Sequence, residues 1–194
     1  MELVFASHNE HKAEEIRSLM PSNYKLLTLK DICYHSEIIE TGSTLEENAR
    51  IKARTVFEKT KRNVFADDTG LEVEALNGAP GVFSARFAGE EGNSLANLKK
   101  LLAVIEGEKN RNAQFRCCIV LIMNGKEYVF NGIIRGTIIQ TPRGNNGFGY
   151  DPIFVPEGHI HTFAEMPPCV KNAISHRTLA VKQMIAFINQ TVHA

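Results

Sequence analysis

The sequence predicts a mixed α/β domain, and three patterns carry that prediction. An apolar segment at 3–6 runs through a polar turn into a segment with helical periodicity, which is half of a βαβ unit. A helix-capping signal before residue 45 is followed, beyond its helix, by another apolar strand pattern. Residues 115–139 form two apolar runs around Asn124-Gly125, a dipeptide typical of tight hairpins. A chain of 194 residues can bury a sizeable core as one domain, so we predict a single domain over residues 1–194.

Each element has a local reason. Helices are predicted where Asn, Ser or Thr precedes an apolar pattern of helical period, and strands where short runs rich in Val, Ile and Phe end in polar turns. In chain order the predicted elements are a strand at 3–6, a helix from Asn9 through Met20, a helix from Ser43 or Thr44 to about Lys61, a strand at 64–66, a half-exposed strand at 71–76, a helix from Asn93 or Ser94 to Ile105, hairpin strands at 115–123 and 128–139, a strand at 153–155 and a helix at 173–189.

Composition argues against several classes of function. Lys plus Arg and Asp plus Glu both number 22, so no general field attracts nucleic acid or an anionic membrane surface. The longest apolar run, 117–123, is too short to span a bilayer, and the N-terminus lacks the pattern of a signal peptide. The four cysteines form no Cys-x-x-Cys pair. We therefore expect a reduced, cytoplasmic protein without a nucleic-acid or membrane partner.

Polar residues gather in four places, and the first is the turn after the first strand. It contains Ser7, His8, Asn9, Glu10, His11 and Lys12. Free N–H groups at a helix start attract phosphate, and a lysine in the first turn adds positive charge. An ordinary capped helix with a solvated lysine is the alternative interpretation.

The second cluster is Asp67-Asp68-Thr69-Gly70, directly after a buried strand. Adjacent carboxylates that lose hydration repel each other, so a cation should compensate them. Mg²⁺ fits because it accepts few carboxylates together with water and phosphate oxygens. The alternative is a turn in which Asp67 caps the backbone and Asp68 is solvated.

The third cluster is the glycine-rich stretch at 142–152. Its glycines allow the backbone to approach a ligand closely, Phe148 offers a face for stacking, and Asp151 offers an acceptor. A long hairpin end is the alternative interpretation.

The fourth cluster, at 171–177, places Lys171, His176 and Arg177 near the start of the last predicted helix, where the helix dipole disfavours cations. A bound anion would explain that cost, whereas a solvated basic face is the alternative. Together the four clusters indicate metal, phosphate contacts, a stacking ring and polar groups that read a base. That set describes a nucleoside triphosphate site.

The order of these motifs resembles the inosine triphosphate pyrophosphatase family, which includes bacterial dITP/XTP pyrophosphatases. The resemblance runs from residue 4 to about residue 180. The stretches that carry it are Ser7-x-Asn9-x-x-Lys12, Glu40-Thr41-Gly42 with Glu47-Asn48-Ala49, Ala66-Asp67-Asp68-Thr69-Gly70, Gly78-Ala79-Pro80-Gly81, Ser84-Ala85-Arg86, Gly147-Phe148-Gly149-Tyr150-Asp151-Pro152 and Ser175-His176-Arg177.

The resemblance implies an α/β fold with an elongated mixed β-sheet, flanked by helices in two lobes with the nucleotide cleft between them. It implies a homodimer that uses Mg²⁺ to hydrolyse deaminated purine nucleoside triphosphates, ITP, dITP and XTP, to the monophosphate and pyrophosphate. Asp68 would be the metal-linked general base. The implied substrate contacts are Ser7, His8, Asn9, Glu10, His11 and Lys12 on the phosphates, Thr69, and, around base and sugar, Phe148, Gly149, Tyr150, Asp151, Lys171, His176 and Arg177.

Two positions depart from the family pattern. His8 stands where the phosphate loop usually has glycine, and Ile39 stands where several relatives have a glutamate that assists the metal. The second metal ligand is therefore Glu40, Glu47 or a carboxylate elsewhere, with Glu40 the nearest in sequence.

Base selection and the competing functions follow from side-chain chemistry. Arg177 only donates hydrogen bonds and His176 can donate, which favours the 6-keto group of hypoxanthine and xanthine over the 6-amino group of adenine. A non-hydrolysing purine-nucleotide-binding regulatory module is the alternative function, but a binder gains little from carboxylates beside polyphosphate. A single-strand nucleic-acid binder is disfavoured by the zero net charge.

Overall fold

The computed structural model describes residues 1–89 and 92–192 and shows an α/β fold. In chain order the elements are β1 Glu2–Phe5, α1 Glu10–Leu19, β2 Lys25–Thr28, α2 Leu45–Thr60, β3 Val64–Val73, α3 Ser94–Val104, β4 Asn112–Met123, β5 Lys126–Ile138, β6 Phe154–Pro156, α4 Pro168–Ile174 and α5 His176–Val192, with 3₁₀ turns at Glu74–Leu76, Gly81–Arg86 and Asp151–Ile153. The strands form a six-stranded sheet of order β2-β1-β3-β4-β5-β6. The sheet is mixed: β1 pairs in parallel with β2 and β3, whereas β5 and β6 are antiparallel. The fold class predicted from the sequence is confirmed.

The chain divides into two compact units. The first contains Met1–Asp68, Cys117–Gly132 and the chain from Arg177 onward, and the second contains Thr69–Arg116 and Ile133–His176. The first unit has apolar side chains on both faces of its strands, as expected for strands covered by helices on either side. One cluster includes Phe5 and stacked Phe65 with residues of α1 and α5, and the other includes Val4 with residues of α2.

The second unit has an apolar cluster of its own. Phe115, Phe154 and Phe163 form its aromatic centre, with ring centroids 4.7 to 6.1 Å apart. Leu98 and Leu101 of α3 belong to the same cluster. Offset and edge-on ring contacts of this kind stabilise a core beyond the apolar area they bury.

The local signals for caps and turns are confirmed. Asn9 caps α1, and Thr44 with Glu47 forms a reciprocal capping box at the start of α2. Asn93 caps α3. The hairpin turn Asn124-Gly125 has φ of 52° and 75°, the left-handed conformation that a two-residue hairpin loop requires.

Four segments differ from the sequence prediction. β3 is one continuous strand through Asp67 and Asp68, so the two strands predicted at 64–66 and 71–76 are joined in Val64–Val73. Residues Glu74–Leu76, predicted as the end of a strand, form a 3₁₀ turn. The last predicted helix is two helices, because Ser175 is extended (φ −64°, ψ 155°) and ends α4. β2 was not predicted from the sequence; it pairs with β1 over Lys25–Thr28. Within the part of the chain that the structure describes, no helix is long and apolar enough to cross a membrane.

Candidate active site

The turn between β1 and α1 is held by its own polar side chains. The Asn9 carboxamide oxygen accepts from the Lys12 backbone N–H at 3.1 Å, and the Asn9 N–H donates to the Ser7 hydroxyl at 3.2 Å. The His8 ring lies 3.2 Å from the carbonyl of Ser36, which fixes a side chain at the position where glycine is usual. The predicted phosphate-contact residues are thus brought together at one helix start.

Lys12 points toward the sheet and pairs with the first of the two adjacent aspartates. Its Nζ lies 3.0 Å from Asp67 Oδ1, and Arg177 Nε lies 3.2 Å from Asp67 Oδ2. The Asp67 side chain is 0% exposed. Burial opposes the charge of Asp67, but Lys12, Arg177 and Lys52 more than offset it and hold the pKa of Asp67 well below its ordinary value. Asp67 is therefore a buried anion between cations.

Asp68 projects from the next position of β3 into a different set of side chains. Because successive residues of a strand face opposite sides, the two neighbouring aspartates have separate partners. Asp68 Oδ1 lies 3.2 Å from Lys52 Nζ, and Asn48 Nδ2 lies 3.4 Å from Asp68 Oδ2. Lys52 Nζ also lies 2.8 Å from Glu40 Oε2. A single ammonium group thus joins Asp68 and Glu40.

Gly42 allows the segment that carries Glu40 to approach α2. Its N–H donates to Asn48 Oδ1 at 2.8 Å, and a Cβ at Gly42 would lie only 2.6 Å from that oxygen. Burial opposes the charge of Lys52, but Asp68 and Glu40 more than offset it and raise the pKa of the ammonium group. The close approach at Gly42 therefore supports the pairing of Glu40 with Lys52.

The carboxylates of Asp68 and Glu40 suit Mg²⁺, which combines few carboxylates with phosphate and water oxygens. Both carboxylates contact the Lys52 ammonium group, so an oxygen of Asp68 and an oxygen of Glu40 lie on either side of the same positive charge. Glu47 is a less suitable ligand, because its carboxylate is engaged in the capping box and accepts from the Ser43 N–H at 2.7 Å. Within residues 1–89 and 92–192, three or more His, Cys, Asp or Glu side chains do not gather in one place that could hold a metal. Phosphate and water would have to supply the remaining oxygens.

The glycine-rich loop of the second unit is organised by Asp151. Asp151 Oδ2 accepts from the Phe148 N–H at 2.9 Å and pairs with Lys171 Nζ at 2.7 Å. Lys171 Nζ also lies 5.1 Å from the centre of the Phe148 ring. Gly147, with φ of 74°, is required here, since a Cβ would lie 2.0 Å from Asp151 Oδ2. A stacking ring, a carboxylate and an ammonium group are therefore held together.

Tyr150 and His176, like Asp151 and Lys171, are predicted substrate contacts that are buried in the second unit. The Tyr150 hydroxyl donates to the Ser84 carbonyl at 3.0 Å, and burial raises the pKa of Tyr150. The His176 ring stacks on Phe115 at 4.8 Å and is 3% exposed as a residue. Gly149 has φ of 65° and needs the freedom of glycine. The roles of these residues toward a substrate stay predictions.

Arg177 belongs to the charged cluster of the first unit. Its side chain is 1% exposed and bonds both Asp67 and Glu15. Burial opposes its charge, but the two carboxylates more than offset it and raise the pKa of Arg177. Its role as a reader of the base stays a prediction, and the structure gives the guanidinium group two carboxylate partners.

Sequence reasoning missed Lys52 and Glu15. Lys52 lies on the face of α2 that also buries Ala49, Ala53 and Val56. A lysine within an apolar helix stripe was therefore the one sign in the sequence that Lys52 is buried and paired. Glu15 follows Lys12 by one helical turn, but that spacing alone predicts only a surface pair. Its partner Arg177 is distant in sequence, and no local pattern indicates the contact.

The chain and its fold match a known family of α/β proteins. The model of the Ham1 family matches residues 3–187, and the chain belongs to that family. A relative from Flavobacterium johnsoniae, named dITP/XTP pyrophosphatase, is 51% identical over 191 residues, which are 98% of this chain and 100% of the relative. The family resemblance seen in the sequence is confirmed.

Two solved structures are similar over nearly the whole chain. The Staphylococcus aureus Ham1 protein has a TM-score of 0.89 and 38% identity, and the match covers 98% of this chain and 100% of that one. A HAM1 protein from Coxiella burnetii has a TM-score of 0.89 and 40% identity, covering 98% and 99% of the two chains.

Proposed function

We propose that this protein hydrolyses deaminated purine nucleoside triphosphates, namely ITP, dITP and XTP, to the monophosphate and pyrophosphate. The observation that carries the proposal is the pair of charged clusters on β3, where Asp67 pairs with Lys12 and Asp68 pairs with Lys52. The names of the curated relatives support the choice of substrate.

The start of α1 is proposed to hold the polyphosphate. The backbone N–H groups at this helix start, together with Lys12, would provide donors for phosphate oxygens. Lys12 is held in place by Asp67, so its ammonium group is positioned before substrate arrives. A donor fixed in advance stabilises charge that develops on a leaving pyrophosphate without reorganisation during the reaction.

Asp68 is proposed as the general base that accepts a proton from the attacking water. Lys52 and Asn48 orient its two oxygens, which restricts the direction from which a proton can be taken. Asp68 and Glu40 would hold Mg²⁺. A bound Mg²⁺ supplies positive charge that reduces the repulsion between phosphate oxygens and a nucleophile.

Phe148 and Lys171 are proposed to recognise the base. The ring offers a stacking surface, and the adjacent ammonium group can only donate hydrogen bonds. A 6-keto oxygen accepts such a bond, whereas the 6-amino group of adenine would face a second donor. A site built around a required hydrogen bond rejects a mismatched analogue by roughly 10⁴-fold or more.

The proposal is tested by incubating the protein with dITP and Mg²⁺ and separating the products by ion-exchange chromatography. We expect dIMP and pyrophosphate in equal amounts, and much slower cleavage of ATP. Inorganic phosphate as the direct product would contradict the proposed bond cleavage. Binding of dITP without turnover would instead support the non-hydrolysing regulatory module.

The proposal includes a cytoplasmic homodimer. Size-exclusion chromatography with light scattering measures the assembly state directly, and a mass of one chain at the working concentration would contradict the dimer.

A further inference from the structure

Glu15 stands at one end of a series of four charges in the first unit. Its carboxylate accepts a hydrogen bond from Arg177 Nη1. Arg177 Nε donates to Asp67 Oδ2 at 3.2 Å, and Lys12 Nζ donates to Asp67 Oδ1 at 3.0 Å. Neighbouring members of the series therefore have opposite sign throughout, and both ends of the series lie on α1.

Burial makes the series sensitive to the loss of any member. The side chains of Asp67 and Arg177 are 0% and 1% exposed, and those of Lys12 and Glu15 are 13% and 14% exposed. A charged group that is buried in this way has little hydration, so its charge is stabilised mainly by its protein partners. One Asp67 carboxylate balances only one of the two cations, so Glu15 provides the second negative charge.

We propose that Glu15 is a positioning residue for polyphosphate recognition, an inference that rests on the proposed function. Glu15 neutralises Arg177 and thereby leaves Asp67 Oδ1 to Lys12, which fixes the ammonium group at the start of α1. Without the charge of Glu15, Asp67 is the one carboxylate left in the series, and Arg177 competes with Lys12 for it. The Lys12 ammonium group then loses its fixed position, so Glu15 influences substrate binding through Lys12.

Glu15→Gln tests this role, because it keeps the size of the side chain and removes its charge. The matched control is Glu14→Gln, which removes a charge from the exposed neighbour on the same helix. With dITP, we expect Glu15→Gln to lower kcat/KM about 10- to 100-fold, mainly through a higher KM, since misplacement of a binding group by about 1 Å has effects of this size. Glu14→Gln should match the wild type. Glu15→Asp retains the charge, so it should recover part of the lost kcat/KM. If Glu15→Gln does not fold, Glu15→Asp replaces it in the comparison with Glu14→Gln.

Combination with Lys12→Ala separates positioning from a general structural effect. If Glu15 acts through Lys12, adding Glu15→Gln to Lys12→Ala causes little further loss of kcat/KM. Equal losses in both backgrounds would overturn the inference, as would a Glu15→Gln protein that behaves like Glu14→Gln.

Binding of inorganic tripolyphosphate, measured by calorimetry, keeps this test independent of turnover. We expect Glu15→Gln to bind tripolyphosphate more weakly than Glu14→Gln does. A wild type that releases no dIMP would refute the proposed function, while the calorimetric comparison would still decide the role of Glu15. Equal affinities in the two variants would refute that role even if the wild type is active.

Discussion

Asp67→Asn should destabilise the protein strongly, because Asp67 is the fully buried anion that Lys12 and Arg177 share. The amide keeps the shape of the side chain but leaves Arg177, 1% exposed, with Glu15 as its remaining carboxylate in the series. Removing one partner of a buried ion pair costs about 3–5 kcal/mol. For a domain of this size each kcal/mol lowers Tm by about 2–4 °C, which gives a fall of roughly 6–20 °C.

Differential scanning calorimetry at pH 7.5 measures this fall, with Glu2→Gln as the control. Glu2 pairs with Lys25 at 2.8 Å on the surface, where both side chains are more than half exposed, so its loss should change Tm far less. An Asp67→Asn protein with the Tm of the control would refute the argument that this charge stabilises the fold.

The pH dependence of the same comparison has a definite sign. The pKa of Asp67 is lower in the folded state than its unfolded value of about 4. The charge of Asp67 therefore contributes fully to the free energy of unfolding above about pH 4, and this contribution is lost as the pH falls toward the folded pKa. The difference in stability between wild type and Asp67→Asn should therefore shrink below about pH 4. A difference that grows on acidification would contradict the assignment of the charged form.

Five further perturbations address the candidate site. Asp68→Asn should leave nucleotide binding but reduce kcat by about 10²- to 10⁴-fold, as is typical for loss of a positioned base, and a near-normal kcat would exclude Asp68 from that role. Excess EDTA should abolish release of pyrophosphate from dITP, and full activity in the chelator would refute the need for a divalent metal. Gly147→Ala should raise KM for dITP, because its Cβ would lie 2.0 Å from Asp151 Oδ2 and displace the Phe148 loop; an unchanged KM would separate that loop from substrate recognition. The ratio of kcat/KM for ITP to that for ATP, measured in Lys171→Met and Arg177→Ala, shows which donor discriminates the bases. A variant that keeps the wild-type ratio excludes its residue from base recognition.

The sequence predicts those features of this protein that depend on neighbouring residues. The capping box of Thr44 and Glu47, the Asn9 cap and the Asn124-Gly125 turn are all formed within a few residues of chain, so local chemistry is sufficient to find them. The prediction of a strand that ends before Asp67 failed for the opposite reason. β3 continues through Asp67 because cations from distant elements compensate its charge, and local sequence contains no sign of them.

The candidate site shows the same division. Motif spacing pointed to Asp68, Lys12 and the glycine-rich loop, because these residues follow or begin elements predicted from the sequence. It did not indicate that Arg177 bonds Glu15 and Asp67, since the three residues are far apart along the chain. The break at Ser175 was also missed, as neither glycine nor proline marks it.

The charge pattern of the first unit has a consequence for how a highly charged substrate is captured. Seven ionisable side chains lie in the two clusters on β3, and together they carry one net negative charge: Lys12, Glu15, Glu40, Lys52, Asp67, Asp68 and Arg177. A cluster of this composition produces no long-range attraction for an anion, because its positive and negative contributions largely cancel beyond about 10 Å in physiological salt. Capture of a triphosphate would then depend on contact and on the cation that accompanies it, so ionic strength should influence association less than it does for proteins with uniformly basic clefts.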